Sequence, residues 1–305
     1  MTRFASMKRV FALSFAAILS LAMISCASSG NPAETHEPVD EVDEPIVIEM
    51  VPPTPSPFLT PTPMPEMTID EDGDITLRSD ILAGFSSASF SFNHKPTVLI
   101  YHTHAAESYL KTKADTYTES ETGRTLDARY NVIAVGNALA KALEARGFTV
   151  IHDKTNVEGD DLNSAYSRSL TVMQQYDNID LYIDLHRNSS QQREQSDNTI
   201  QIDGKSFAKL FFVVGTGIGT YTGEYDTAPD WKNNYTFAYS LTQAISAQRA
   251  DLIKPIRLKV GRYNQHMGLC LLAEVGTNAD TLQAVLNTVP YLANAIATVC
   301  PIETK

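Results

Sequence analysis

From residue 97 to residue 298, apolar runs of strand length alternate with stretches of helical period, and no other feature limits the fold so tightly. Residues 97–101 read Thr-Val-Leu-Ile-Tyr, a β-rich apolar run that predicts a buried strand. Residues 131–146 put Val132, Val135, Leu139, Ala142 and Leu143 on one helical face. Gly147 follows where a helix end needs a residue of free backbone. The same reading predicts strands over 148–152, 179–185, 207–214 and 269–275, and helices over 164–176, 235–249 and 281–298. Such alternation implies an α/β fold, a mostly parallel central sheet flanked by helices. Residues 69–92 offer a short lead-in strand, and no internal repeat is present.

The chain ahead of this region differs in kind. Arg3, Lys8 and Arg9 precede an apolar run over residues 10–24, the pattern of an export signal. The run is shorter than the roughly 20 residues of a comfortable membrane span. It ends in Met23-Ile24-Ser25-Cys26, which resembles a bacterial lipobox. Lipidation of Cys26 would tether the chain to the outer face of a membrane; an uncleaved anchor or an ordinary signal is the alternative. Either places the remainder outside the cytoplasm. Ten of the fifteen prolines then fall between Pro32 and Pro65, and proline sustains neither helix nor central strand. Residues 27–92 carry thirteen acidic side chains against Arg78 alone, so this stretch predicts an extended, self-repelling spacer. The expected division is 1–26 signal or anchor, 27–68 spacer and 69–305 globular domain, with motifs over 95–298. Residues 93–305, with 23 acidic and 20 basic side chains, are nearly neutral. A net charge of -12 argues against nucleic acid as a partner, and three cysteines exclude a disulfide framework.

In a parallel sheet, ligands bind at the carboxyl ends of strands. Three polar clusters are predicted there. His102, Thr103, His104 and Glu107 follow the first strand, His186, Arg187 and Asn188 follow the third, and Glu274 ends a late one. Two or three histidines plus a carboxylate on separate strand ends match catalytic zinc, which takes three protein ligands and leaves a fourth position for water. A further carboxylate that accepts a proton from that water completes such a centre. The plainer alternative makes His102 and His104 polar caps and Glu274 half of a structural ion pair. His36, His94, His152 and His266 have ordinary structural or surface roles open to them.

At these residues the chain resembles stage II sporulation protein P. Val98-Leu-Ile-Tyr-His-Thr-His-Ala-Ala-Glu-Ser-Tyr109 is similar to that family's first motif. Four further stretches agree in order: Asn131-Val-Ile-Ala-Val-Gly136, Tyr166-Ser-Arg-Ser-Leu170, Ile183-Asp-Leu-His-Arg187, and Tyr263-Asn-Gln-His-Met267 leading into Leu272-Ala-Glu-Val-Gly-Thr-Asn278. The resemblance implies an extracellular peptidoglycan hydrolase related to zinc-dependent N-acetylmuramoyl-L-alanine amidases, with endopeptidase activity on cross-linked stems also attributed to the family. It implies engulfment during endospore formation, beside stage II sporulation proteins D and M. Carried over by position, His104 and His186 are zinc ligands and Glu274 is the catalytic glutamate. The amidases' remaining glutamate ligand has no counterpart at the start of the helix over 131–146, and Glu107 is the candidate replacement. His102 is either a fourth ligand or a partner behind the ligands.

Arg187 is a candidate for holding a substrate carboxylate, with a structural ion pair as its alternative. Tyr221, Tyr225 and Trp231 lie in a stretch rich in Gly, Thr, Tyr, Asp and Asn, and are candidates for lining a glycan groove; packing the loop down is the alternative. Cys270, inside an apolar strand, reads as a small buried hydrophobe. Two rival functions share these residues. One is a non-catalytic wall-binding lipoprotein on a decayed hydrolase fold. The other is a zinc hydrolase of other acylated sugars.

Overall fold

The computed structural model describes residues 67–120, 123–159, 161–162, 164–190, 198–218 and 229–303. The export segment, Cys26, the spacer up to residue 66, Tyr221 and Tyr225 lie outside the described residues. Ten strands and five α-helices follow in the order β1 (Met67–Ile69), β2 (Asp74–Leu77), α1 (Ser79–Leu82), β3 (Thr97–Tyr101), α2 (Val132–Glu144), β4 (Thr149–His152), α3 (Ala165–Met173), β5 (Leu181–Asn188), β6 (Thr199–Ile202), β7 (Lys205–Ala208), β8 (Leu210–Gly215), α4 (Trp231–Arg249), β9 (Arg257–Lys259), β10 (Cys270–Thr277) and α5 (Leu282–Val299). Eight strands make one sheet in the order β1-β2-β9-β8-β10-β5-β3-β4. The half that carries the polar clusters, β10-β5-β3-β4, is parallel throughout, and β8 joins β10 antiparallel.

Strand alternation divides the core between two faces. Val98, Ile100, Ile183 and Leu185 point to one side and pack with Val135, Leu139 and Leu143 of α2, Leu241 of α4 and Val289 of α5. Leu99, Tyr101, Tyr182 and Cys270 point to the other and pack with Met173 of α3. Farther along that second face, Phe211, Val213 and Leu272 lie under Tyr263. Leu139 and Leu143 have no exposed surface, so burying each is worth roughly 1.5–3 kcal/mol.

The start of α2 shows how the fold fixes the loop after β3. Asn131 caps the helix by accepting from Ile133 N at 3.0 Å and donates to Thr125 O at 3.0 Å. Val132 N donates to Glu107 O at 2.9 Å, so the first turn of the helix holds Glu107 from beneath. At the other end Gly147 takes φ +96°, which lets Phe148 N return to Leu143 O at 3.2 Å.

Several elements depart from the sequence-based expectation. The strands expected over 179–185 and 269–275 run on to Asn188 and Thr277, so His186 and Arg187 lie inside a strand rather than after it, and Glu274 lies inside β10 as expected. The single strand expected over 207–214 breaks at Lys209. Its first half is β7, hairpin partner of β6 across Asp203 and Gly204, with φ +49° and +76°. Positive φ at both turn residues is the type I′ arrangement, and the Asp-Gly pair signals it in the sequence. The helix expected over 235–249 starts one turn earlier, at Trp231, where Asp230 accepts from Asn233 N at 3.3 Å. The lead-in region is the β1–β2 hairpin, whose β2 pairs antiparallel with β9, itself parallel to β8. Among the described residues no helix is long and apolar enough to cross a membrane.

Candidate active site

The loop after β3 and the last residues of β5 meet over Asp184, which is 1% exposed. Asp184 accepts from Thr103 N at 2.9 Å and from Thr103 Oγ1 at 2.7 Å, pinning the loop to the strand. Two residues on, and so on the same face, stands His186. Its Nε2 is 2.7 Å from Asp184 Oδ1, without the alignment of a hydrogen bond, and its Nδ1 is 3.5 Å from Glu107 Oε2. The His104 ring stands edge-on to His186 with centroids 5.3 Å apart. Parallel pairing of β10 with β5 sets Glu274 directly beside His186. His104, Glu107, His186 and Glu274 are thereby brought together from three segments of the chain.

The electrostatics follow from burial against charge. Burial alone would lower the His186 pKa, but Asp184 and Glu107 outweigh it and hold it well above the usual histidine range. Burial would raise Glu107, yet His186, Arg187 and His104 pull it down to about 2. Glu274 has less help: burial pushes its carboxyl up to about 7, although His186 works against this. Its Oε2 is buried and has no hydrogen-bond partner among the described residues, as is also true of His104 Nδ1.

His102 is buried but belongs to a different set. Its Nδ1–H donates to Leu185 O at 2.8 Å, so its Nε2 accepts from His152 Nε2–H at 2.9 Å. Both ring nitrogens are occupied, which makes His102 a partner behind the site rather than a fourth ligand. Burial lowers its pKa to about 4 and keeps it neutral.

Arg187 and Trp231 are placed as in the structural alternatives considered for them, an ion pair with Glu107 at 3.8 Å and packing, rather than in the substrate roles. Arg187 points to the opposite side of β5 from His186 and is 5% exposed. Its guanidinium donates to Ser108 O at 3.0 Å and Gly123 O at 2.9 Å, and its backbone N donates to Glu107 Oε2 at 3.1 Å. It fastens the Glu107 loop and has no free fork for a substrate carboxylate. Trp231 opens α4 and packs against Phe85, with ring centroids 6.2 Å apart. One turn later Asn234 donates to Gln265 O and accepts from Cys270 N, the first residue of β10, whereas Glu274 lies four residues farther along that strand. Cys270 is buried, and burial pushes its thiol up to about 12.

Three contributors escaped the sequence reading. Asp184 carried a usable signal, its i, i+2 spacing from His186 in a strand. Glu158, in the loop after β4, has Oε1 3.8 Å from His104 Nδ1, accepts from Ala106 N at 3.1 Å and pairs with Arg124. Nothing in the sequence marks it. Tyr166, whose ring stands edge-on to His104 with centroids 5.8 Å apart, lay in a recognised motif that had no role attached.

Two imidazoles and a carboxylate are a donor set that catalytic zinc uses. Ligands at about 2.0–2.2 Å from one tetrahedral ion stand roughly 3.3–3.5 Å apart, and His186 Nδ1 and Glu107 Oε2 have that spacing. His104 Nδ1, which makes no hydrogen bond among the described residues, supplies a third donor of the right type. As arranged, no three His, Cys, Asp or Glu side chains among the described residues are close enough to hold an ion. The set therefore fits zinc in donor chemistry and in one ligand spacing, with His104 the donor still to close.

A family model for stage II sporulation protein P matches residues 60–297. Stage II sporulation protein P of Bacillus subtilis (strain 168) is 30% identical over 212 residues, 63% of this chain and 49% of that protein. The chain thus matches about half the length of this relative. Similar solved structures include the N-acetylmuramoyl-L-alanine amidase AmiC2 of Nostoc punctiforme, at 15% identity and a TM-score of 0.36, covering 68% of this chain and 96% of that one. Another is the CwlD amidase of Clostridioides difficile in complex with the GerS lipoprotein, at 11% identity and a TM-score of 0.41, covering 67% and 98%.

Proposed function

The chain belongs to the stage II sporulation protein P family, and we propose that its globular part is a zinc-dependent peptidoglycan hydrolase. The reaction is cleavage of the amide between N-acetylmuramic acid and the stem peptide, with cross-linked stems as a further substrate. The observation that carries this reading is the meeting of His104, Glu107 and His186 with a buried glutamate, Glu274, whose pKa lies near neutrality.

His104, Glu107 and His186 would hold the metal, which when bound polarises a carbonyl and lowers the pKa of water toward about 7. The chain's own residues do the rest. Asp184, locked by Thr103, fixes the His186 ring. Arg187 N and the start of α2 hold Glu107 in place. Glu274 accepts the proton of the attacking water and returns it to the leaving amine.

The acidic, proline-rich spacer would carry this domain from a membrane tether at Cys26 toward the wall. Peptidoglycan is then the main partner, with stage II sporulation proteins D and M as assembly partners. The deciding experiment incubates the full chain with peptidoglycan sacculi, with and without a chelator, and identifies products by mass spectrometry. Chelator-sensitive release of intact stem peptides is expected. Cross-bridge cleavage alone would make the activity an endopeptidase. Pelleting without products would favour a wall-binding protein and refute the enzymatic reading.

A further inference from the structure

Tyr166 lies in the first turn of α3 and is held from both sides. Its ring stands edge-on to His104, with centroids 5.8 Å apart, and at 90° to Tyr263, with centroids 5.2 Å apart. Its backbone carbonyl accepts from Ser169 Oγ at 3.1 Å and from Asn264 Nδ2 at 2.8 Å. Ser169 Oγ in turn meets Thr103 Oγ1 at 2.9 Å, the same hydroxyl that donates to Asp184. Everything about the residue except its hydroxyl is tied down, and among the described residues the hydroxyl bonds to nothing.

The ring that carries that hydroxyl lies against His104, a candidate ligand, and Ser169 of the same helix meets Thr103, which pins the loop to Asp184. Asp184, Glu274 and Glu107, which surround His186, all act on the phenol electrostatically, as does Tyr263. An ordinary phenol keeps its proton at neutral pH, so the hydroxyl serves as a donor. A rigid ring with a free O–H, edge-on to a candidate ligand, has few structural duties. Phenylalanine would fill the same gap between His104 and Tyr263.

We propose that Tyr166 is a further catalytic residue, whose phenol donates a hydrogen bond to the carbonyl oxygen of the scissile amide as negative charge develops on it. The inference rests on the hydrolase reading above. No bond to Tyr166 forms or breaks; the hydroxyl keeps its proton throughout. Because the donor is already oriented, it strengthens with the charge on the oxygen and acts on turnover rather than on ground-state binding.

The test is Tyr166→Phe in the full chain, which keeps the ring and deletes one oxygen. On soluble muropeptides kcat is expected to fall about 10²-fold with KM little changed, as for loss of one oxyanion donor. Zinc content and Tm should match the parent. Affinity for a phosphinate analogue of the muramoyl–alanine bond should fall by a similar factor. A kcat within about threefold of the parent would overturn the proposal, as would a fall in kcat that tracks lost zinc, which would mean that Tyr166 only supports His104. If the parent chain cleaves nothing, the hydrolase reading fails separately. The phosphinate comparison then decides this one: equal affinity, or no binding by either protein, overturns it.

Discussion

Gly136 lies in the second turn of α2, where alanine would ordinarily be worth about 1 kcal/mol more than glycine. Here the added methyl would meet His152 Nε2 at 2.4 Å and Cε1 at 2.6 Å, and His102 Nε2 at 2.9 Å. Either the helix moves, an overpacking cost of about 1–3 kcal/mol, or His152 swings away. In the second case the buried Nε2 of His102 loses its hydrogen bond from His152, which also costs about 1–3 kcal/mol. Set against the helix gain, Gly136→Ala should be neutral to about 2 kcal/mol destabilising, up to roughly 8 °C in Tm for a domain this size. Removing His152 takes away the closest contact, so in a His152→Ala background the same change should stabilise by up to about 1 kcal/mol. Urea unfolding of the parent, both single variants and the double variant gives the coupling energy. A value above about 1 kcal/mol is expected. If Gly136→Ala stabilised both backgrounds equally, within about 0.5 kcal/mol, the packing of α2 on the histidine pair would be refuted.

Two further outcomes follow from the site. Asp184→Asn removes the carboxylate beside His186 Nε2, and zinc affinity, measured by chelator competition, should fall about 10–100-fold; unchanged affinity would remove Asp184 from the positioning of His186. In the metal-free protein Glu274 has a pKa of about 7 against 4.5 for an ordinary glutamate, so the folded state keeps a proton that the unfolded state gives up. Stability contributed in acid is then lost as pH rises from about 4.5 through 7, on the order of 3 kcal/mol in all, and Glu274→Gln should abolish that part of the slope. Identical pH–stability curves for the parent and Glu274→Gln would show that Glu274 is not held in its protonated form by the fold.

What could be read from the chain alone depended on periodicity and on clustering along the sequence. Residues 97–101 and 131–146 announced β3 and α2 because each buries one continuous face, and a face leaves a repeating pattern. His104 and Glu107 were legible together because one loop carries both, and His186 and Glu274 because each sits in an apolar strand where a polar residue is conspicuous. The β1–β2 hairpin and β9 were not legible, since three- and four-residue strands leave too short a pattern. The Asp203–Gly204 turn was legible in principle and was missed.

Residue identity also could not say which way a side chain turns. Arg187 follows His186 by one residue, and in a strand that sends it to the opposite side, where backbone carbonyls take up its guanidinium. Trp231 opens a helix and packs on Phe85, because Asp230 starts α4 a turn earlier than the apolar pattern does.

The sequence by itself determined the sheet-and-helix alternation, the acidic, proline-rich composition ahead of it and the residue types of the candidate site, all of which are properties of near neighbours along the chain. Tertiary structure alone decided that Asp184 backs His186, that Glu158 and Tyr166 face His104, and that His102 pairs with His152. These partners stand far apart in sequence, Tyr166 and His104 by more than sixty residues, and only the registers of β3, β5 and β10 and the seating of α3 bring them together.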